Sequence, residues 1–107
     1  MLIKTATATG QILNFMVAKT TGMCILNSNG TVFWGNFATV TPTTNWAQGG
    51  PLIEREKIES YWHIALECWS AKCNDHLRYG PTPLIAAMRC FVASKLGDEV
   101  DVPDELT

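Results

Sequence analysis

Two histidines and two cysteines, spaced His63-x4-Cys68-x4-Cys73-x2-His76, are the densest set of possible zinc ligands in the chain, because imidazole and thiolate are the donors zinc prefers. Their spacing argues against a site. On a strand, positions five apart point to opposite faces, and on a helix they lie about 140° apart. Only irregular chain beginning near Cys73 would bring them together, and no Cys-x2-Cys knuckle is present. The same residues offer two thiol–imidazole pairs for nucleophilic work, Cys73 with His76 and Cys68 with His63, but neither has an orienting group or an oxyanion loop beside it. Cys24 and Cys90 stand in apolar runs and read as core. Glu54, Glu56 and Glu59 alternate with Arg55 and Lys57, the pattern of a solvated face more than of an acid–base pair. The Gly49-Gly50 pair fits neither the Walker nor the dinucleotide spacing, so its glycines are expected to reverse the chain at positive φ. No metal, cofactor or catalytic residue is assigned.

The remaining candidate for chemistry is the stretch from Ala38 to Pro51, where threonine, proline and glycine dominate and Trp46 is the only large side chain. A tryptophan between Asn45 and Gln48, braced by Pro42 and Pro51, sets a flat apolar face beside amide donors and acceptors. Proteins use that combination for partner hot spots and for stacking on bases. The competing reading is that Trp46 turns inward and anchors a long irregular loop. The expected surface comprises Asn45, Trp46, Gln48, Gly49 and Gly50, extended by Arg55 and Arg89.

The elements that must carry these residues are unevenly marked. Thr7 and Thr9 are N-cap candidates for a helix over Gln11–Lys19, with Gly22 as its stop. Met23–Leu26 and Thr31–Trp34, separated by Asn27-Ser28-Asn29-Gly30, predict a β-hairpin. Residues 52–71 are ambiguous, and two strands are expected, about 52–58 and 63–72, followed by a loop over Asn74–Gly80. The clearest element is a second helix: Thr82 as N-cap, Pro83 at N1, an apolar run to Leu96 and Gly97 as the stop. Almost every side of it is apolar, so it is either central in the fold or covered by a second subunit, and a homodimer is one expectation. Val100 and Val102 alternate with acids and predict a short half-buried edge strand ended by Pro103.

At 107 residues and 47% hydrophobic composition, the chain is expected to fold as one domain spanning residues 1–107 without disulfides or metal. The class expected is α+β, a small, mostly antiparallel sheet packed by two main helices. Net charge is −2, which excludes an overall field for nucleic acid or acidic lipid. Five acids (Asp98, Glu99, Asp101, Asp104, Glu105) fall in the last ten residues, so eight basic residues face five acidic ones before them. A solvated acidic tail on a mildly basic body is expected. The N-terminus carries no apolar signal segment, and the longest apolar-rich run, Leu84–Leu96, holds Arg89 and Lys95 and is shorter than the ~20 residues of a membrane span. A cytosolic protein with reduced thiols is expected.

Thr41–Glu56, with its Thr-Pro-Thr-Thr-Asn-Trp-Ala-Gln-Gly-Gly-Pro core, and Gly80–Val100 resemble the two long signatures of the phage NinX-like family. Gly10 with Leu13–Ala18 is similar to its first helix, and Trp69-Ser70-Ala71 to its short Trp-x-Ala element. The resemblance runs in order along nearly the whole chain. It implies a phage or prophage protein made in the bacterial cytosol. It supplies no activity and no catalytic residues, because the family is a domain of unknown function. The functional expectation is a non-enzymatic accessory protein that binds a host or phage protein. Single-stranded nucleic acid is the alternative partner, and a small-molecule enzyme the third reading.

Overall fold

The structure is a computed structural model that describes residues 1–21, 24–26, 32–34 and 40–106. Its class is α+β, as expected. In chain order the elements are β1 (Leu2–Lys4), α1 (Gly10–Thr21), β2 (Cys24–Leu26), β3 (Val32–Trp34), α2 (Trp46–Glu56), β4 (Glu59–His63), β5 (Cys68–Cys73), β6 (His76–Gly80), α3 (Pro83–Leu96), β7 (Glu99–Asp101) and a final 3-10 turn, Asp104–Leu106. All strand pairs are antiparallel: β1 with β7, β2 with β3, and a three-stranded sheet in the order β4-β5-β6.

The α3 helix forms where the sequence marks it. Thr82 Oγ1 accepts from the Ile85 backbone N–H at 3.1 Å, Pro83 opens the first turn, and Gly97, at φ 92°, closes the last. Nine of its residues, Leu84 and Ala86–Ala93, are buried, and it packs against α1, α2, β4, β5, β6 and β7. Its all-round apolar character is therefore satisfied within a single chain. Leu13, Met16 and Val17 of α1 and Ala71 and Cys73 of β5 join Met88, Phe91 and Val92 in the core. The α1 helix lies where expected, although its proposed stop, Gly22, is outside the described residues. The first hairpin also forms, with Ile25 opposite Phe33, and its Asn-Gly turn likewise lies outside them.

Three expectations fail between residues 46 and 80. The irregular loop expected over 38–51 holds for residues 40–45 but gives way from Trp46 to α2, which also replaces the strand expected over 52–58. Asn45 starts this helix by accepting from the Ala47 N–H at 2.9 Å, and Lys57 ends it in the left-handed region at φ 54°. Gly-Gly-Pro is a poor helix sequence, and Pro51 withholds the N–H that the Ala47 carbonyl would accept. Burial of Gly49 and Leu52 overrides that preference. The loop expected over Asn74–Gly80 is instead a two-residue turn, with Asn74 at φ 56°, leading into β6. The strand expected over 63–72 is realised as the end of β4, a turn and β5.

The strand expected near Val100 is present and pairs with β1, placing Val100 opposite Ile3. The acidic tail is partly tied down. Asp98 accepts from Arg78 Nη2 at 2.7 Å, and the Met1 amine lies 2.9 Å from Asp101 and 3.5 Å from Asp104. Among the described residues, no helix is long and apolar enough to cross a membrane.

Candidate functional site

The segment that introduces α2 is locked before Trp46 is reached. The Asn45 and Thr44 N–H groups both bond the Thr41 carbonyl, at 2.9 and 3.2 Å. The Thr43 N–H and hydroxyl both reach Asn14 Oδ1, at 3.2 and 2.8 Å, tying the segment to α1 in a buried pair. Gln48 Oε1 accepts from the Thr41 N–H at 2.7 Å. Pro42 is fully buried. Trp46 then stands as the first residue of α2 with 56% of its surface exposed. The backbone that carries this open indole is thereby fixed.

Gly49 explains how α2 lies so close to α3. A Cβ there would sit 2.5 Å from Leu84 Cδ1 and 2.6 Å from the Pro42 carbonyl oxygen. It has ordinary helical backbone, so the positive φ expected for this glycine is corrected to close approach. At the other end of α2, Glu56 accepts from Lys95 of α3 at 2.9 Å and from its neighbour Arg55 at 3.0 Å. Lys95 first, and Arg55 second, hold the Glu56 carboxyl below its ordinary range. Arg55 Cζ also lies 5.9 Å from the centre of the Phe91 ring.

Between the two helix starts runs an open groove of about 250 Å³, lined by Thr43, Thr44 and Trp46 on one side and Thr82, Pro83, Leu84 and Ile85 on the other. None of these side chains titrates near neutrality. The arrangement can seat an apolar group against Pro83, Leu84 and Ile85 beside the indole, with the exposed Thr44 at the rim, the Thr43 and Thr82 hydroxyls being already engaged.

The structure thus divides the residues expected at this surface. Trp46 is exposed on the groove. Asn45 and Gln48 lie beside it, but each carbonyl oxygen is engaged by backbone, one as helix cap and one as loop brace. Gly49 is buried, and Gly50 is half-buried with open space at its Cβ position. Arg55 projects from the far end of the helix into its ion pair. Arg89 is internal: its Nε donates to the Ala8 carbonyl and its Nη1 to the Tyr79 carbonyl, both at 2.8 Å. Burial lowers its pKa from the ordinary arginine value. Arg89 therefore joins the N-terminal segment, β6 and α3, and does not reach the groove. The residues missed from sequence are Thr82–Ile85, which gave a helix-start signal but no sign that they would meet a loop some forty positions earlier.

The histidine–cysteine set is dispersed over the sheet. His63 Nε2 lies 2.7 Å from Ser70 Oγ. Cys73 is buried on the opposite face, 3.6 Å from Ser94 Oγ. The His76 carbonyl accepts from Cys90 Sγ, and burial pushes the Cys90 thiol up to about 12. Among the described residues, no three His, Cys, Asp or Glu side chains gather closely enough to hold a metal ion.

No curated protein matches the chain. A family model described as Bacteriophage P22, NinX matches residues 4–95, and the chain belongs to that family.

Proposed function

We propose that this phage protein is a non-enzymatic binding module whose contact surface is the Trp46 groove, and that its partner is a host or phage protein made in the bacterial cytosol. The observation that carries the reading is the contrast at the start of α2. The residues around Trp46 are buried, hydrogen-bonded or packed on α3, while the indole itself is 56% exposed over an apolar groove. A large, rigid aromatic beside a small apolar pocket is the composition of a binding hot spot. The neutral lining supports binding over catalysis, which draws on groups with shifted titration. A single-stranded nucleic acid is the weaker candidate. The net charge is −2, Arg55 is ion-paired and Arg89 is internal, so the cations expected beside the indole serve elsewhere.

The test is a pull-down from phage-infected bacteria with the native chain and with Trp46→Ala. The expected result is one co-purifying protein lost from the variant at unchanged melting temperature. Equal recovery by both chains would remove the groove from the account. In parallel, tryptophan fluorescence is titrated with single-stranded oligonucleotides at low salt. Quenching that weakens steeply with added salt would transfer the surface to nucleic acid.

A further inference from the structure

The two outer edges of the three-stranded sheet are treated differently. On β6, two carbonyls of like parity are taken by side chains, Leu77 by Arg78 Nη1 and Tyr79 by Arg89 Nη1. On β4, residues 59–63 pair with β5 alone, and among the described residues no side chain bonds their backbone. Bare edges template pairing with another strand, and proteins that avoid this place lysine, proline or a bulge along them. The β4 sequence Glu-Ser-Tyr-Trp-His has none of these, and its one acid, Glu59, stands at the end of the strand. Its surroundings are apolar as well. Tyr61 and Trp62 are half exposed, and Ile64 and Leu66, in the turn after the strand, are 82% and 62% exposed. Strand alternation sets Tyr61 and Trp62 on opposite faces, so this edge presents an exposed aromatic on each side for a second strand to cover.

We infer that β4 pairs antiparallel with β4 of a second copy of this chain across a two-fold axis at Tyr61, joining two three-stranded sheets into one of six strands. Only this register uses all five residues, and it is self-complementary. Glu59 falls opposite the partner's His63, Tyr61 opposite the partner's Tyr61, and Trp62 opposite the small Ser60 of the partner subunit. Glu59, Tyr61 and His63 share the face turned away from α3, where Tyr61 Oη already donates to Glu59 Oε2 and His63 is held through Ser70. An acid beside an imidazole and an aromatic beside an aromatic are favourable cross-strand pairs. The inference is independent of the Trp46 groove and replaces α3 with β4 as the dimer surface.

Light scattering of the native chain from about 10 μM to 1 mM tests it. The expected result is a concentration-dependent dimer that Tyr61→Lys, which sets ammonium groups on both sides of the axis, weakens by about tenfold or more. Tyr61→Phe retains the dimer, and Trp46→Ala leaves it unchanged. Because Tyr61 is half exposed, Tyr61→Lys keeps the fold, which its melting curve checks. In a Cys68→Ser background, Tyr61→Cys forms an interchain disulfide under mild oxidation, since directly opposed antiparallel residues stand about 4.5–5.5 Å apart at Cα, within disulfide reach. A monomer at every concentration, a dimer indifferent to Tyr61→Lys, a dimer lost with Trp46→Ala, or no cross-link would each overturn it.

Discussion

Gly49 and Gly50 are neighbours in one helix, yet alanine is predicted to stabilise the protein at Gly50 and to leave it unchanged or less stable at Gly49. Replacing glycine by alanine inside a helix contributes about 1 kcal/mol through backbone entropy. At Gly50 nothing lies within 4 Å of the new methyl, so that gain is expected nearly whole. At Gly49 the same gain is opposed by contacts at 2.5 Å to Leu84 Cδ1 and 2.6 Å to the Pro42 oxygen. The leucine can rotate. The carbonyl cannot, because its proline is fully buried in chain held by the Thr41 turn and by the Thr43–Asn14 bonds. Overpacking of this kind costs about 1–3 kcal/mol. The propensity term cancels between the two variants, so their separation is the packing term alone, about 1–3 kcal/mol. In a domain of this size that is on the order of 4–12 °C in melting temperature. Thermal and urea denaturation of both variants measure it. A Gly49→Ala protein as stable as Gly50→Ala would show that α2 does not lie against α3 as described.

Other predictions follow from the buried polar groups. Arg89→Met, which leaves the Ala8 and Tyr79 carbonyls without their donor, is expected to lower unfolding free energy by about 2–3 kcal/mol in denaturant titration; no loss would remove its tying role. Folding lowers the Glu56 pKa below 4.5, with Lys95 as the main cause. Its contribution is therefore present above that value and lost as pH falls through the folded one. Glu56→Gln should cost stability at pH 7 and none at strongly acidic pH, and a constant difference across that range would contradict the assignment. In a Cys24→Ser background, iodoacetamide at pH 8 should label Cys68 in the native protein and reach Cys73 and Cys90 only on unfolding, because the latter two are buried and the Cys90 thiol is pushed up to about 12. Mass spectrometry reads the order.

What was legible in the sequence depended on whether the deciding physics was local. The limits of α3 are written in Thr82, Pro83 and Gly97, and each acts on backbone within one turn of itself. The first hairpin and the β7 strand were legible for the same reason. The α2 helix was not, because Gly49 and Pro51 argue against helix locally, and the contact that outweighs them comes from Leu84, thirty-five residues away. At the groove, the exposed indole was among the readings of the sequence. The engagement of the Asn45 and Gln48 amides was not, since an amide's partner is set by where the chain later returns. Arg89 was read as a possible contact because nothing in an apolar helix announces that a guanidinium will meet two backbone carbonyls inside the fold.

The central place of α3 also orders events during synthesis. A ribosome releases the first eighty-two residues before this segment emerges, and until then the inner faces of α1, α2 and the β4-β5-β6 sheet have no common element to close on. Cooperative folding must wait for the late helix. A chain truncated before Pro83 should therefore remain protease-sensitive, and one extended through Leu96 should resist digestion once released from the ribosome.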